Sequence, residues 1–448
     1  MKRLLVFGLS PLPFENTTKN FGPGIRAWQF IQPLLQHDCE VMLLANRIPY
    51  IYPENTPPEV TISKGSFNYT HMSDHVFRNQ QKIQAYYDRF KPDAILSATI
   101  FASPPLKTLK TDLPIWIDLF GHVMAEAQAK AYRYQSNDYL EHFWKHEISA
   151  LETGDIFSTV SKAQEYATIG ELGLLGRLSA QTTGYRFTRV IPCAMDPDPL
   201  EHKTQAFRGI DVPEDAFVVL WSGGYNTWTD IDTLFEGLDK AMSKNPDIWF
   251  VSTGGQIDGH DEKTYPKFLR KIAKSRYKNR FIMKGWIPKI GVTDYYFEAD
   301  IGINIDLFMY EGMFGSKNRV LDWMRAGLPS LIGELCELSH DLPEKKLAFN
   351  YPLQNADALA EKLLYLAKNR DMVRETGQRA KEFGLKYLTF EASTRMFQNW
   401  LISPEKSPDH SNKNIKTPSF ISSRTKINSD TLTSLQNAHD HILELENY

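Results

Sequence analysis

Three cysteines stand in 448 residues, Cys39, Cys193 and Cys336, far apart and without a Cys-x-x-Cys pair or a Cys/His pairing. That scarcity excludes a disulfide framework and a structural zinc site, and it fits a reducing cytoplasm. Charge of one sign is missing too: 51 basic against 54 acidic residues leave a formal net charge of -3. No global field therefore draws in nucleic acid or an anionic membrane, and any such partner needs a local patch. No stretch approaches the roughly 18 to 20 uninterrupted apolar residues of a spanning helix, so no transmembrane segment is expected. Met1-Lys2-Arg3 followed by Leu4-Leu5-Val6-Phe7-Gly8-Leu9 imitates a secretory signal, but its apolar run is too short and no small-residue cleavage site follows. The expected location is the cytoplasm, with peripheral membrane attachment left open.

What is present suits a soluble enzyme-sized chain. Hydrophobic residues make up 42% and charged residues 23%, which supplies ample core and excludes wholesale disorder. The length favours two domains of roughly 200 residues each. Leu4 to Leu9 reads as a buried strand, Gly24 to Gln36 as a helix and Cys39 to Ala45 as a second strand. Ala94 to Thr99, Ile115 to Leu119 and Ile156 to Val160 continue the strands, with helical spacing from about Ala125 to Leu151. The pattern restarts at Phe217-Val218-Val219-Leu220-Trp221 and runs on through Trp249 to Ser252, Arg280 to Lys284, Ile301 to Ile305 and Ser330 to Ile332. Alternating strands and helices predict an α/β chain of two doubly wound parallel sheets facing a cleft, with ligands outside the strand ends after Leu9, Leu119, Trp221 and Ile305. The expected divisions are 1–205, 206–388, a helix at 389–402 returning to the first domain, a flexible Ser/Asn/Lys/Pro-rich tether at 403–428, and a short amphipathic helix at 429–448. Residues 430–448 are the candidate surface for a protein partner or self-association.

The most informative stretch runs from Glu311-Gly312-Met313-Phe314-Gly315-Ser316-Lys317-Asn318-Arg319-Val320-Leu321-Asp322 to Gly327-Leu328-Pro329. It follows the strand end Asp300 to Asn304 and leads through a glycine-bearing loop into a helix. Two cations and two carboxylates at a helix start suit a polyhydroxylated phosphate ester. Lys317 and Arg319 meet phosphate with help from the helix N-terminus, while Glu311 and Asp322 accept hydrogen bonds from hydroxyls.

This segment resembles the signature of family 4 glycosyltransferases with the GT-B fold, which ends in the same alanine-glycine-leucine/threonine-proline turn. The common form spaces two glutamates by seven residues. Here Glu311 and Asp322 stand farther apart, as in a sub-branch around cell-surface polysaccharide synthesis, where a basic loop precedes an Arg-Val-Leu-Asp helix. Other segments resemble the family in order and spacing over roughly residues 1 to 400: Phe21-Gly22-Pro23-Gly24-Ile25-Arg26-Ala27, Asp118-Leu119-Phe120-Gly121-His122, Asp155 to Ser161, Ile191 to Asp196, Leu220 to Trp228, and Gly285-Trp286-Ile287-Pro288. The resemblance implies a retaining, metal-independent transfer from a nucleoside-diphosphate sugar to a hydroxyl acceptor, with no other cofactor. It implies His122 and Glu311 as catalytic residues. Gly22, Gly24, Ser222, Gly223, Gly224, Asn226, Trp286, Gly315, Ser316, Lys317, Arg319, Val320 and Asp322 would hold the donor, with Asp322 on the ribose and Glu311 on the sugar.

Each feature has a plainer reading. Gly22-Pro23-Gly24 with Ala27 fits a dinucleotide fingerprint, which would make the chain an NAD-dependent oxidoreductase or sugar-nucleotide epimerase, yet the glycines lie well beyond the strand and no acid closes the second strand. A non-catalytic relative acting as an assembly partner is the other alternative. His122 alone is ordinarily a structural histidine, but its place after a strand end favours function. Asp196-Pro197-Asp198 and Asp230-Ile231-Asp232 imitate an Asp-x-Asp metal motif; the first lies in a Pro-rich linker and the second in a helix's first turn behind Thr229, so no metal is expected. The run Lys271, Lys274, Arg276, Lys278 and Arg280 reads as a solvated face, and Trp116, Trp221 and Trp228 as core more than stacking platforms.

Overall fold

Every residue of Leu4-Leu5-Val6-Phe7 is buried, and alternate members face opposite sides of the strand Lys2–Ser10 (β1). Leu4 and Val6 join a core with Ala27, Phe30, Trp116 and Phe397, whereas Leu5 and Phe7 join another with Ile83, Ile95, Ile117 and Phe157. A strand covered on both faces has no polar alternation, which is why it reads as a continuous apolar run. The computed structural model describes residues 1–15, 17, 21–48, 51–257 and 261–412.

After β1 come β2 (Cys39–Arg47), β3 (Glu59–Lys64), β4 (Phe67–Met72), β5 (Ala94–Ser97), β6 (Ile115–Asp118), β7 (Ile156–Thr159) and β8 (Thr188–Val190). They form one sheet in the order β3-β4-β2-β1-β5-β6-β7-β8, parallel except where β3 runs antiparallel to β4. That hairpin corrects the expectation of a wholly parallel sheet with loops over this region. Its sequence signal is the alternation Val60, Ile62 and then Phe67, Tyr69 about Gly65, whose φ of 59° makes the turn.

A second sheet contains β9 (Phe217–Ser222), β10 (Ile248–Thr253), β11 (Phe281–Met283), β12 (Ile301–Asn304), β13 (Ser330–Gly333) and β14 (Phe349–Tyr351), all parallel in the order β11-β10-β9-β12-β13-β14. In each sheet the winding reverses beside the first strand: β1 lies between β2 and β5, and β9 between β10 and β12. Those reversals open crevices at the carboxyl ends, where such sheets bind ligands. Among the described residues no helix is long and apolar enough to cross a membrane.

The described residues divide into two compact units, one of residues 1–131, 137–194 and 390–412, the other of residues 132–136 and 195–389. The switch after Ala194 falls earlier than the expected boundary near 205. The backbone N–H groups of Ala206, Phe207 and Arg208 all donate to the Glu298 carboxylate at 2.6 to 2.9 Å, and that of Lys203 donates to Asp294 at 2.7 Å. Buried carboxylates on the helix Lys289–Glu298 thus claim the linker for the second unit.

Buried charge also organises the first unit. Arg26, on the helix Gly22–Ile31, is fully buried and uses all five of its N–H donors. Two meet Asp118 at 2.9 and 2.7 Å, and the others meet Gln29 Oε1 and the carbonyls of Ile191 and Pro192 at 2.7 to 3.0 Å. Ser158 donates to Asp118 at 2.6 Å, so one charge pair ties the first helix to β6, β7 and the exit from β8. From Phe390 the chain packs on this unit. Phe397 and Trp400 set their rings edge-on to Trp116 at 5.2 and 5.3 Å. The expected tether does not begin at 403: Asp409 takes a two-pronged bond from buried Arg177, and Ser407 and His410 engage buried Asp155. Two charges inside the fold need partners, and this polar stretch supplies them. The remaining tether and the helix at 429–448 lie outside the described residues.

Candidate active site

At the end of β9 the chain turns through Ser222-Gly223-Gly224. Gly223 has a φ of 96°, and its carbonyl accepts from the Trp221 indole at 2.9 Å. Trp221 is buried, stacked on Tyr225 at 4.9 Å. The Ser222 hydroxyl accepts from Trp323 Nε1 at 3.0 Å, which ties this turn to the helix Asn318–Ala326. Ser222, expected beside the diphosphate, thus has its hydroxyl oxygen positioned by the tryptophan.

The helix Asn318–Ala326 starts beside β12 without a side-chain cap and ends at Gly327 with a φ of 84°. Its second residue, Arg319, lays its guanidinium 3.9 Å from the centre of the Trp221 ring, with Nη2 toward Gly223. Arg319 Nη1 is buried and has no hydrogen-bond partner among the described residues. Burial lowers this guanidinium from its ordinary value. An unused donor on a desolvated cation, next to a helix start and a glycine turn at a winding reversal, is completed by an anion.

Lys317 is differently placed. Its ammonium lies 3.0 Å from Asp306, which also accepts from Asn304 at 2.9 Å. Burial alone would depress the Lys317 ammonium, but Asp306 and Glu311 outweigh it and hold it charged. Asp306 escaped the sequence reading, although an acid just beyond an apolar strand at one of the four flagged loops was a usable signal. Asp230 was read from the sequence as an acid in a helix's first turn behind Thr229. It, and not Thr229, caps the helix Ile231–Lys244 through Thr233 N–H at 3.0 Å, leaving Oδ2 buried without a partner among the described residues.

The rest of the expected set spreads around this centre. Glu311 sits on the short helix Tyr310–Phe314, and Gly315 N–H donates to its carbonyl at 2.9 Å. Ser316 is half-buried, Asn226 contributes its carbonyl to Thr229 N–H, and Val320 is core, so its side chain is no ligand contact. Asp322 reaches solvent, yet surrounding protein desolvates it; that effect, resisted by Arg325 and reinforced by Asp196, pushes its carboxyl up to about 6. Trp286 stands on the backbone of Gly224 and Gly255, donates to Gln256 O at 2.7 Å and leaves 43% of its surface exposed, a flat platform beside the turn.

In the first unit, a Cβ at Gly24 would fall 1.9 Å from the Pro11 carbonyl, so that glycine permits a close backbone approach. Gly22 opens the first helix. The dinucleotide reading loses its second glycine to this packing. His122 follows β6 through Phe120 and Gly121, both left-handed with φ of 43° and 97°. Its Nδ1 accepts from Ala125 N–H at 3.2 Å, and its Nε2 meets Glu171 at 3.0 Å.

Asp232 binds Lys267 and Lys271, each at 2.7 Å, and Asp196 accepts from Asp198 N–H at 2.9 Å. Among the described residues no group of three His, Cys, Asp or Glu side chains is placed to hold a metal ion.

No protein-family model and no curated protein matches the sequence. Solved structures do match in shape. A sucrose-phosphate synthase from Thermosynechococcus elongatus is 15% identical with a TM-score of 0.63 over 89% of this chain and 98% of its own. An α,α-trehalose 6-phosphate synthase from Burkholderia multivorans is 12% identical at 0.63 over 90% and 97%. HepE of Anabaena, in complex with UDP and glucose, is 13% identical at 0.61 over 90% and 100%. Identity this low carries the architecture alone, and the architecture it carries, two α/β units built on parallel-stranded sheets, is the GT-B fold.

Proposed function

We propose that this chain is a glycosyltransferase that moves a sugar from a nucleoside diphosphate to a hydroxyl acceptor, with retention of configuration and without a metal, in a branch of family 4. The observation that carries this reading is Arg319: a buried guanidinium with an unused donor, stacked on Trp221 beside the Gly223 turn and an uncapped helix start. The diphosphate takes up that donor. Its charge grows as the anomeric carbon becomes oxocarbenium-like and the sugar's bond to it breaks, so a fixed cation there lowers the barrier. Lys317 adds a second positive charge, restrained by Asp306. Asp322 accepts from ribose hydroxyls, Glu311 from the donor sugar, and Trp286 stacks under the base. His122, in the first unit, is the second proposed catalytic residue beside Glu311. HepE, similar in shape, is seen with UDP and glucose.

The test is a thermal-shift panel of UDP, GDP, ADP, dTDP, CMP and NAD. At about 100 times its dissociation constant a ligand adds roughly 2.7 kcal/mol. One nucleoside diphosphate is expected to stabilise the chain; silence from all of them, or a response to NAD alone, sinks the reading. Trp286→Ala is expected to weaken that nucleotide by about 1–3 kcal/mol, the scale of base stacking on an aromatic platform. Titration calorimetry reads the change, and an unaltered affinity would remove Trp286 from the base site.

A further inference from the structure

Behind His122 the first unit buries two carboxyl groups against each other. Glu147, on the helix Tyr139–Thr153, is 5% exposed. Glu171, on the helix Lys162–Leu174, meets His122 Nε2 through Oε1 at 3.0 Å. Glu147 Oε2 and Glu171 Oε2 are both buried without a donor among the described residues, and the two side chains lie within hydrogen-bond reach of each other. Two carboxylates in contact away from water repel; one hydrogen held between them removes the repulsion and gives the paired oxygens a donor. Burial and Glu171 together push the Glu147 carboxyl well above the ordinary carboxylate range. On the surrounding helices Glu126 pairs with Lys130 at 3.8 Å and Lys162 with Glu165 at 2.6 Å, and Glu171 is the charged group that acts on Glu147.

The imidazole is read from the same bonds. Nδ1 accepts from Ala125 N–H, so the ring hydrogen sits on Nε2 and points at Glu171. The Ala125 N–H also donates to the His122 carbonyl at 3.0 Å, so that backbone group stays satisfied if the ring moves.

We propose that Glu147 and Glu171 are positioning residues for His122: a hydrogen-sharing pair that holds the imidazole Nε2–H at rest and releases it to a substrate hydroxyl without stranding a buried charge. When the ring turns, Glu171 retains the hydrogen of Glu147; one hydrogen bond is exchanged for another, and no covalent bond changes. A lone carboxylate in the same place would lose its last donor and hold the ring back. This rests on the reading of the chain as a transferase with His122 as a catalytic residue.

The experiment has two arms. In the first, transfer is followed across pH. The shared hydrogen is present below the pair's titration and lost above it, so the wild-type kcat is expected to fall as pH rises. Glu147→Ala should lower kcat by about 10- to 100-fold, the cost of a misplaced group, with donor KM unchanged. Glu147→Gln, whose amide hydrogen cannot ionise, should restore most of that loss and remove the alkaline fall. An alkaline fall that survives in Glu147→Gln overturns the proposal. In the second arm, nitrogen-15 NMR of the His122 ring should show a neutral Nε2–H form in the wild type and its loss in Glu171→Ala. A ring carrying its hydrogen on Nδ1, or one indifferent to Glu171→Ala, overturns it too. A wild type that transfers no sugar defeats the transferase reading, while the NMR arm still decides the pair.

Discussion

Arg319→Ala is expected to lower the rate of sugar transfer by about 10² to 10³, the scale of losing one preorganised donor aimed at developing charge. The side chain is held by the Trp221 ring at 3.9 Å and not by a carboxylate bond, so its donors are in place before a ligand arrives. Arg319→Lys should recover little, because an ammonium neither stacks flat on the indole nor spans two phosphate oxygens. Stability should move the other way. Removing a desolvated cation with an unused donor relieves a cost to the fold, so the thermal midpoint is expected to hold or rise. Steady-state kinetics beside a melting curve separate the two effects, and an unchanged transfer rate would remove Arg319 from the site. Lys317 is a poorer probe, since its loss also strands the Asp306 carboxylate that it pairs with at 3.0 Å.

Arg26→Met is expected to cost about 3–5 kcal/mol of folding free energy, the range for breaking a buried ion pair by deleting one partner. Arg26 and Asp118 are both fully buried, and the guanidinium satisfies two carbonyls besides. With the arginine gone, Asp118 keeps a bond from Ser158 but remains a charge inside the core. The double variant Arg26→Met with Asp118→Leu should recover part of the loss, because no charge is then left uncompensated. Urea unfolding of both variants checks this. A single variant within about 1 kcal/mol of wild type would mean that the pair does not organise the unit.

The sequence was most legible where burial leaves a period along the chain. β1, β2, β5 to β7 and β9 to β13 all announce themselves as short apolar runs, because strands covered on both faces have no other way to read. The hairpin β3/β4 was missed: at the sheet edge its residues alternate polar and apolar over only six positions each, and nothing in the doubly wound pattern calls for an antiparallel pair. The linker was placed late because its ownership depends on Asp294 and Glu298, some ninety positions further on. In the candidate site, Arg319 and the glycine turn were visible as a basic helix start and a Gly-Gly pair. The bond from Trp323 to Ser222, the restraint on Lys317 by Asp306 and the close approach of Pro11 to Gly24 were not.

By itself the sequence determined the buried parallel strands at the centre of each sheet, that strands and helices alternate, and which loops end at the carboxyl edges, since periodicity and turn residues act within a few positions of one another. Tertiary structure alone decided which polar side chains are spent holding the fold and which remain for a ligand. Arg26 and Arg319 are both arginines near the starts of helices; one has all five donors used inside the protein and the other has a donor left over. A buried donor must be satisfied by whatever the packing brings within about 3 Å, and that neighbour comes from anywhere in the chain.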